Sequence, residues 1–258
     1  MQNDSTGQRF PEASKPAAPH APLVAYYPTP LDRSGFVRDL FNRTADSYDR
    51  INFGFSLGSG AWYRRRSLWQ AGLRPGTRML DVAVGTGLVA REGVRILGRA
   101  EDVIGLDLSE GMLAVARRSL AIPLLQGQAE ALPLADASVD FVSMGYALRH
   151  VADLSVLFAE FYRVLRPGGR VLVLEMARPE SRIGYALARA YMGSIVPALS
   201  RLSGARSGTL MHYYWDTIEA CVPPDVIMRH LGGAGLADVG CATELGIFRA
   251  YTARRPTA

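Results

Sequence analysis

The sequence predicts an α/β fold, because strand-like and helical stretches alternate along most of the chain. Between residues 78 and 177, short apolar runs that end at Gly, Asp or Pro are followed by segments with apolar residues at helical spacing. Such alternation is typical of parallel strands joined by right-handed crossovers, with helices on both faces of the sheet. Two further strand patterns near the C-terminus complete the sheet. We therefore expect a Rossmann-like sheet of seven strands that is mostly parallel.

The expected elements follow one another in a regular order. Strands are predicted at 78–83, 102–107, 122–125, 139–145, 170–177, 237–243 and 247–254, and helices at 87–98, 109–119, 152–166 and 223–235. Ser109 is the expected N-cap of the second of these helices. Arg166–Gly169 is predicted to form the turn before the fifth strand. Residues 181–215 interrupt the alternation with apolar residues and scattered arginines, and we expect inserted helices there.

The N-terminal part has a different composition from the rest. Residues 1–33 are rich in Pro, Ala, Ser and Thr with little apolar periodicity, which predicts a disordered or loosely attached arm. A helix is expected to begin at Ser34, and a second one carries Trp62–Trp69. The domain is therefore expected to span 34–258. Within it, 181–222 is expected to form a helical lid, ordinary core helices or an interfacial amphipathic helix.

Composition and charge exclude several classes of protein. The 258 residues include no apolar run long enough to cross a bilayer, no secretory leader pattern and only two cysteines, Cys221 and Cys241. No spacing of His, Cys and Asp indicates a metal site. The net charge is +5, and arginine carries almost all of the positive charge. It permits contact with an anionic membrane surface, whereas no nucleic-acid partner is expected. We expect a cytoplasmic protein, with membrane association and a homodimer as open alternatives.

The stretch MLDVAVGTGLVA, residues 79–90, carries the strongest functional signal. Gly85 and Gly87 form a turn at which a ligand approaches the backbone, and the following helix offers unpaired N–H groups. Asp81 ends the strand before this turn, and a carboxylate there repels a pyrophosphate but attracts an ammonium or sulfonium ion. Asp107 lies 20 positions beyond Gly87, where a carboxylate accepts hydrogen bonds from ribose. The pattern indicates S-adenosylmethionine (SAM), although the glycine spacing also suits NAD.

Six stretches together resemble one enzyme family. They are SYDRINFGFSLGSGAWYRR (47–65), DVAVGTG (81–87), QAEALPLADASVDFV (128–142), GYALRHVAD (145–153), FYRVLRPGGRVLVLEMARP (161–179) and YYWDTIEACVPP (213–224). In this order they resemble the ubiquinone/menaquinone C-methyltransferase family, a branch of the SAM-dependent methyltransferases. The chain departs from the family pattern at Gln128, where Asp or Asn is usual, and at His150, where the family has Asn.

The resemblance implies a SAM site at the carboxyl edge of the sheet. Combined with the glycine turn and the two carboxylates, it gives the expected cofactor-binding set Tyr48, Asp81, Ala83, Gly85, Thr86, Gly87, Asp107, Leu108, Gln128, Ala129 and Met144. Tyr48 is expected to cover the methionyl end of SAM. The amide oxygen of Gln128 is expected to accept a hydrogen bond from the adenine amine.

The resemblance also implies methyl transfer to a ring carbon of a small quinone-like or phenolic acceptor. Arg149 is expected to stabilise the acceptor oxygen, or else to form a salt bridge with Asp153 or a neighbouring acid. His150 is a candidate general base, unless it is a satisfied structural histidine. His212 and Tyr213 are candidates from the expected lid.

The departures from the family pattern leave the acceptor open. An N- or O-methyltransferase that acts on a lipid amine or a secondary metabolite would have the same SAM-binding motifs. An NAD-dependent oxidoreductase, a nucleic-acid methyltransferase and a cofactor-binding protein without activity are further alternatives. Against nucleic acid, SMGY at residues 143–146 takes the place of the N-P-P-aromatic motif used on exocyclic amines.

Overall fold

The computed structural model of the chain describes residues 17–56, 59–191 and 208–257. Its centre is one seven-stranded sheet with β1 Met79–Val82, β2 Val103–Asp107, β3 Leu124–Gln126, β4 Val139–Gly145, β5 Leu165–Met176, β6 Ala237–Glu244 and β7 Phe248–Arg254. The strand order is β3-β2-β1-β4-β5-β7-β6. All neighbours are parallel except the two that pair with β7. The predicted fold class is therefore confirmed.

Helices cover both faces of this sheet. The described α-helices are α1 Arg33–Ser56, α2 Gly60–Gln70, α3 Leu88–Leu97, α4 Glu110–Ser119, α5 Leu154–Val164, α6 Arg182–Ala190, α7 Gly208–Ala220 and α8 Pro224–Gly233. On one face, α5 and α8 pack on the sheet through buried residues such as Phe158 and Leu231. On the other face, α2 and α3 do so through Leu68 and Leu97.

The central strand β1 is apolar because it is buried on both sides. Met79, Leu80 and Val82 are fully buried, and the strand pairs with β2 on one side and β4 on the other. Asp81 is the exception within this apolar strand. The carboxyl ends of β1, β2 and β4 lie next to one another, so the loops that follow them meet at one edge of the sheet.

Side-chain caps fix two of the helices that begin at this edge, α4 and α5. Ser109 accepts a hydrogen bond from a backbone N–H in the first turn of α4 at 3.1 Å, which confirms the predicted N-cap. Asp153 caps α5 by accepting from Ser155 N and Val156 N. Asp153 also accepts a bond from Ala17 N at 3.1 Å, and so connects the N-terminal segment to α5.

The fifth strand begins earlier than predicted. Arg166–Gly169, predicted as a turn, belong to β5, which begins at Leu165. The pairing between β4 and β5 shifts register between Val139 and Phe141, and this irregularity accommodates the extra residues. Gly168 nevertheless keeps the left-handed backbone of a turn, with φ at 81°. The prediction was wrong about the element and right about the local conformation.

Residues 17–33 pack against the domain, contrary to the expectation of a loose arm. His20, Tyr27 and Arg33 have only 2%, 1% and 3% of their surface exposed. The Arg33 guanidinium donates to the hydroxyl of Tyr27 and to the carbonyl oxygen of Val151, so it fastens the segment. These few buried residues are spread through a Pro- and Ala-rich stretch, so the composition of the segment did not predict that it packs against the domain. Residues 1–16, which belong to the same expectation, lie outside the described residues.

The described part of the expected insertion at 181–222 is largely helical. Leu210 and Tyr213 of α7 are fully buried, whereas α6 has no buried residue. Residues 192–207 lie outside the described residues, and the lid stays a prediction. None of the helices in the described ranges has the length and apolarity that a membrane span requires.

Candidate active site

A cavity of about 360 Å³ lies at the carboxyl ends of β1, β2 and β4, with α1 across it. The predicted site residues that line it are Tyr48, Ala83, Gly85, Asp107, Leu108, Gln128, Ala129, Met144 and His150. The other predicted residues lie outside its lining: Asp81, Thr86, Gly87, Arg149, His212 and Tyr213. Loops from three neighbouring strands thus converge on one cavity, as expected of this fold.

Besides Tyr48, the helix α1 contributes four cavity residues that were not predicted. Arg33, Ser34, Val37 and Phe41 line the cavity from this helix. Their spacing is helical, but the same pattern is typical of a stripe that faces a core. Tyr146, in the loop after β4, also lines the cavity and has φ at 61°. A positive φ at a bulky residue leaves no sequence signal.

Asp107, at the end of β2, presents a fixed carboxylate to the cavity. Its Oδ2 accepts a hydrogen bond from Gly85 N and its Oδ1 from Ser109 N, both at 2.8 Å. Each oxygen keeps capacity for a further bond. Burial raises the pKa of Asp107 to about 6, so the group is mainly ionised at pH 7. An acceptor held in this way suits the hydroxyl groups of a ribose.

The two glycines of the turn serve different purposes. Gly85, with φ at 56°, has no atom within 4 Å of the position that a Cβ would occupy, so its backbone borders open space. At Gly87, with φ at 89°, a Cβ would lie 2.2 Å from Leu120 Cδ1. The left-handed backbone therefore favours glycine at the second position, and a side chain there would also displace that of Leu120. Between them, Thr86 donates to Asp49 Oδ1 at 2.5 Å and fastens the turn to α1.

Asp81 lies beneath the turn and outside the cavity. It is 1% exposed; Ser143 Oγ on β4 donates to its Oδ1 at 2.5 Å, and its Oδ2 has no hydrogen-bond partner. Burial raises the pKa of Asp81 to about 7. Because β1 continues beyond Asp81, it is Ala83 that borders the cavity. Asp81 therefore acts on the cavity from below, and its direct contact with the cofactor stays a prediction.

Arg149 is a partner in a buried ion pair and does not line the cavity. Its guanidinium pairs with Glu175 at the end of β5, with both side chains 2% exposed. Its Nε donates to Thr217 on α7 at 3.3 Å. The alternative expectation of a salt bridge is correct in kind, but the partner is Glu175, because Asp153 caps α5. This arrangement does not support the expected contact between Arg149 and the acceptor.

His150 borders the cavity with one free nitrogen. Its ring stacks on Tyr213 and Tyr214, with centroids 5.3 and 6.0 Å away, and lies 5.4 Å from the ring of Phe41. Nδ1 lies 3.2 Å from the Tyr213 hydroxyl oxygen, whereas Nε2 is buried without a hydrogen-bond partner. Burial and the guanidinium of Arg149 hold the pKa of His150 well below its usual range, so the imidazole is neutral.

The remaining candidates surround this ring. Tyr213 is fully buried behind His150, so any effect on the acceptor is indirect. His212, its neighbour on α7, is exposed. Tyr48 lines the cavity and accepts a hydrogen bond from the Tyr214 hydroxyl at 3.1 Å. In the described ranges, no three His, Cys, Asp or Glu side chains are grouped to hold a metal ion.

The residues of the cavity fit SAM better than a dinucleotide. Asp107 has acceptor capacity that suits a ribose, and Gln128, which follows β3, lines the same cavity; its hydrogen bond to adenine stays a prediction. Gly85 leaves the backbone accessible, and Tyr48 covers the cavity from α1. The unpartnered Oδ2 of Asp81 adds a second carboxylate beneath the turn. Two carboxylates favour a cation and disfavour a pyrophosphate.

Solved structures share this fold. A SAM-dependent methyltransferase from Thermotoga maritima superposes with a TM-score of 0.61 at 22% identity, over 84% of this chain and 99% of that one. A phosphoethanolamine N-methyltransferase from Haemonchus contortus, in complex with SAM, gives a TM-score of 0.55 at 19% identity, over 75% of this chain and 52% of that one. At these identities the likeness shows the fold alone. On this fold, the glycine turn with its carboxylates is the pattern expected of a SAM-dependent methyltransferase.

Sequence relatives narrow this class. The demethylmenaquinone methyltransferase of Symbiobacterium thermophilum is 41% identical over 162 residues, which cover 60% of this chain and 64% of that protein. The ubiquinone/menaquinone biosynthesis C-methyltransferase UbiE of Hahella chejuensis is 32% identical over 80% of this chain and 85% of that protein. Residues 31–248 match the ubiE/COQ5 methyltransferase family. The chain belongs to this family, as the sequence resemblance implied.

Proposed function

We propose that this methyltransferase transfers a methyl group from SAM to a ring carbon of a quinol, the reduced form of a quinone. The observation that carries the proposal is one cavity lined by both a fixed carboxylate and aromatic rings. The carboxylate is that of Asp107, and the rings are those of Phe41, Tyr146 and His150. Flat aromatic ligands stack favourably on such rings. Relatives named for demethylmenaquinone and ubiquinone/menaquinone methylation support this acceptor.

The chain's own residues have three tasks in such a reaction. SAM, when bound, supplies an electrophilic methyl group on a positively charged sulfur. The chain must bind and align both partners and exclude water. Asp107 and the glycine turn serve binding, while Phe41 and Tyr48 on α1 cover the cavity. The ring carbon reacts more readily when a neighbouring hydroxyl loses its proton, so a proton acceptor is needed as well.

The acceptor is tested with methyl-¹³C SAM and a reduced, short-chain demethylmenaquinone analogue. We expect NMR of the product to show the label on a ring carbon. A labelled methyl group on oxygen, or turnover with amines alone, would contradict C-methylation and favour the O- or N-methyltransferase alternative.

The variant Asp107→Ala tests where the ribose binds. Loss of a charged hydrogen-bond acceptor costs about 1.5–3 kcal/mol, so SAM affinity should fall roughly 10- to 150-fold by calorimetry. The KM for the quinol should change little. Asp136→Ala, at an aspartate whose side chain is 76% exposed, is the matched control. An Asp107→Ala protein that is folded by circular dichroism and binds SAM as the wild type does would show that the ribose lies elsewhere.

We further propose that α6 contacts an anionic membrane surface, from which a lipid-like quinol could enter. The apolar residues on one face of the helix are all exposed: Ile183, Ala186, Leu187 and Ala190. Ile183 is exposed to 77% and Leu187 to 66%. Arg182 and Arg189 flank this face, and α6 contains no acidic residue. An exposed apolar stripe beside cations suits the surface of an anionic bilayer.

Contacts with α7 hold α6 in place. The Tyr185 hydroxyl donates to Glu219, and its ring lies 5.9 Å from that of Trp215. The polar and aromatic side of α6 is thus used within the protein, which leaves the apolar stripe facing outward.

Flotation with phosphatidylglycerol vesicles tests this surface, with phosphatidylcholine vesicles as the neutral comparison. Binding should be selective for the anionic vesicles and weaken with salt. Leu187→Asp should reduce vesicle binding about tenfold or more, because it removes a leucine side chain that the bound membrane would bury. Leu245→Asp, at a leucine that is 87% exposed between β6 and β7, is the matched control. Equal losses of vesicle binding in both variants would contradict the role of α6. A homodimer that is lost in Leu187→Asp would instead show that a second copy of the chain covers this face.

A further inference from the structure

His150 has a buried ring nitrogen without a hydrogen-bond partner at the cavity. Of the described side chains that bury a polar atom without a partner, it alone lines the cavity. The atom is Nε2, and leaving such an atom unpaired is costly. A ligand hydroxyl at this position would complete the site. The family pattern that the sequence resembles has Asn here, so the imidazole is a property of this chain.

The opposite nitrogen of the ring is held by α7. Nδ1 lies 3.2 Å from the Tyr213 hydroxyl oxygen, and the two rings stack with an interplanar angle of 24°. When Nδ1 carries the proton, it donates a hydrogen bond to the Tyr213 hydroxyl oxygen. Nε2 then keeps its lone pair for a ligand. Tyr213 is fully buried, so it cannot easily turn away. The edge-on ring of Phe41 confines the imidazole further.

The charges around His150 favour a neutral base beside an oxyanion. Arg149 faces it from its own loop, Arg33 from α1 and His20 from the N-terminal segment. Together with burial, these groups lower the pKa of His150 and keep it unprotonated. Of these groups, Arg33 lines the cavity and, among the described residues, has only neutral hydrogen-bond partners, so its guanidinium also stabilises a negative charge that forms next to Nε2.

We infer that His150 is a catalytic base whose Nε2 accepts the proton of the acceptor's ring hydroxyl, and that Tyr213 is the positioning residue that holds Nδ1. This rests on the quinol acceptor proposed above. The hydroxyl O–H bond breaks, the proton goes to Nε2 to give an imidazolium, and the electron pair stays on the oxygen. From there it activates the ring carbon next to the hydroxyl. Once that carbon has received the methyl group, its own hydrogen leaves as a proton to the oxygen, which restores the hydroxyl and the aromatic ring. The imidazolium later gives its proton to water.

Nitrogen-15 NMR of the full chain with labelled histidine tests this geometry without any acceptor. At pH 7 we expect a neutral His150 that carries its proton on Nδ1, with the resonance assigned by its loss in His150→Asn. A proton on Nε2, or an imidazolium at pH 7, would overturn the inference, because neither form can accept a proton at Nε2.

Turnover supplies the second test. His150→Asn keeps a polar side chain of similar size but no base, so kcat should fall about 10²- to 10⁴-fold with SAM affinity unchanged. His150→Ala should regain part of its kcat when imidazole is added. His230→Asn is the control, since His230 bonds Ser155 and lies outside the cavity lining. Full kcat in His150→Asn, or no rescue of His150→Ala, would overturn the assignment.

Tyr213→Phe separates positioning from packing, because it removes only the hydroxyl. We expect kcat to fall about 2- to 10-fold at constant KM, and the ¹⁵N spectrum to show both neutral tautomers of His150. A spectrum that still shows only the Nδ1–H form would exclude a role for Tyr213. If the wild type methylates no quinol, the proposed function fails, whereas the tautomer of His150 is decided by the spectrum alone.

Discussion

Replacing Gly87 with alanine tests whether packing or ligand access requires glycine there. The backbone φ of 89° lies in the left-handed region, where a side chain costs about 1–2 kcal/mol. The new Cβ would lie 2.2 Å from Leu120 Cδ1. This atom ends a half-buried side chain that can turn aside, so overpacking adds only about 1 kcal/mol. The free energy of unfolding should therefore fall by about 2–3 kcal/mol. Since the free energy of unfolding of a typical domain is about 5–15 kcal/mol, a loss of this size is easily measured.

Gly85→Ala is the matched comparison in the same turn. Its φ of 56° is also left-handed, but no atom lies within 4 Å of the added Cβ. We expect a loss of only about 1–2 kcal/mol in unfolding free energy. The methyl group would instead occupy space beside the cavity, so SAM affinity should fall. Urea unfolding followed by circular dichroism gives the first quantity and calorimetry the second.

Leu120→Ala completes a double-mutant cycle. Without the leucine side chain the clash disappears, so Gly87→Ala should cost only about 1–2 kcal/mol in that background. Equal costs at Gly85 and Gly87, or a Gly87→Ala cost that is unchanged in the Leu120→Ala background, would refute the packing explanation.

Two further predictions concern buried charges. Burial raises the pKa of Asp81 from 3.8 to about 7, so the free energy of unfolding of the wild type falls as pH rises through that window. The stability of Asp81→Asn relative to the wild type should therefore increase between pH 5 and pH 8, as measured by urea unfolding. A difference that stays constant with pH would count against this pKa. Arg149→Met leaves Glu175 charged and unpaired and should cost about 3–5 kcal/mol, most of which Arg149→Met/Glu175→Leu should recover. A stable Arg149→Met protein without turnover would instead support the catalytic role first expected of Arg149.

The sheet could be predicted from the sequence because its signals are local. An apolar run such as Met79–Val82 and a glycine turn at Gly85 each lie within a few residues. The start of β5 is different, since it depends on a register shift against Val139 and Phe141 of another strand. A single strand's sequence carries no information about that pairing, so Arg166–Gly169 resembled an ordinary turn.

The same distinction applies to the site. Asp107 and Met144 were predictable as cavity residues, because parallel strands bring their carboxyl ends to one edge. Arg149 was misplaced because its partner Glu175 lies 26 positions along the chain at the end of another strand. Arg33 was missed because it ends a segment whose composition predicts disorder. The residues that eluded prediction are those whose environment is made by contacts distant in sequence.

The helix α1 links the glycine turn to the proposed base. Asp49 accepts a hydrogen bond from Thr86 in the turn, and Phe41, on the same helix, packs edge-on against His150. The eight positions between them correspond to about 12 Å of helix, so one helix sets the distance between the glycine turn and the ring of His150. Because displacements of about 1 Å can slow catalysis severely, a change at Asp49 should affect the base as well as the turn. Asp49, which was not among the predicted site residues, should therefore also influence where His150 lies relative to the glycine turn.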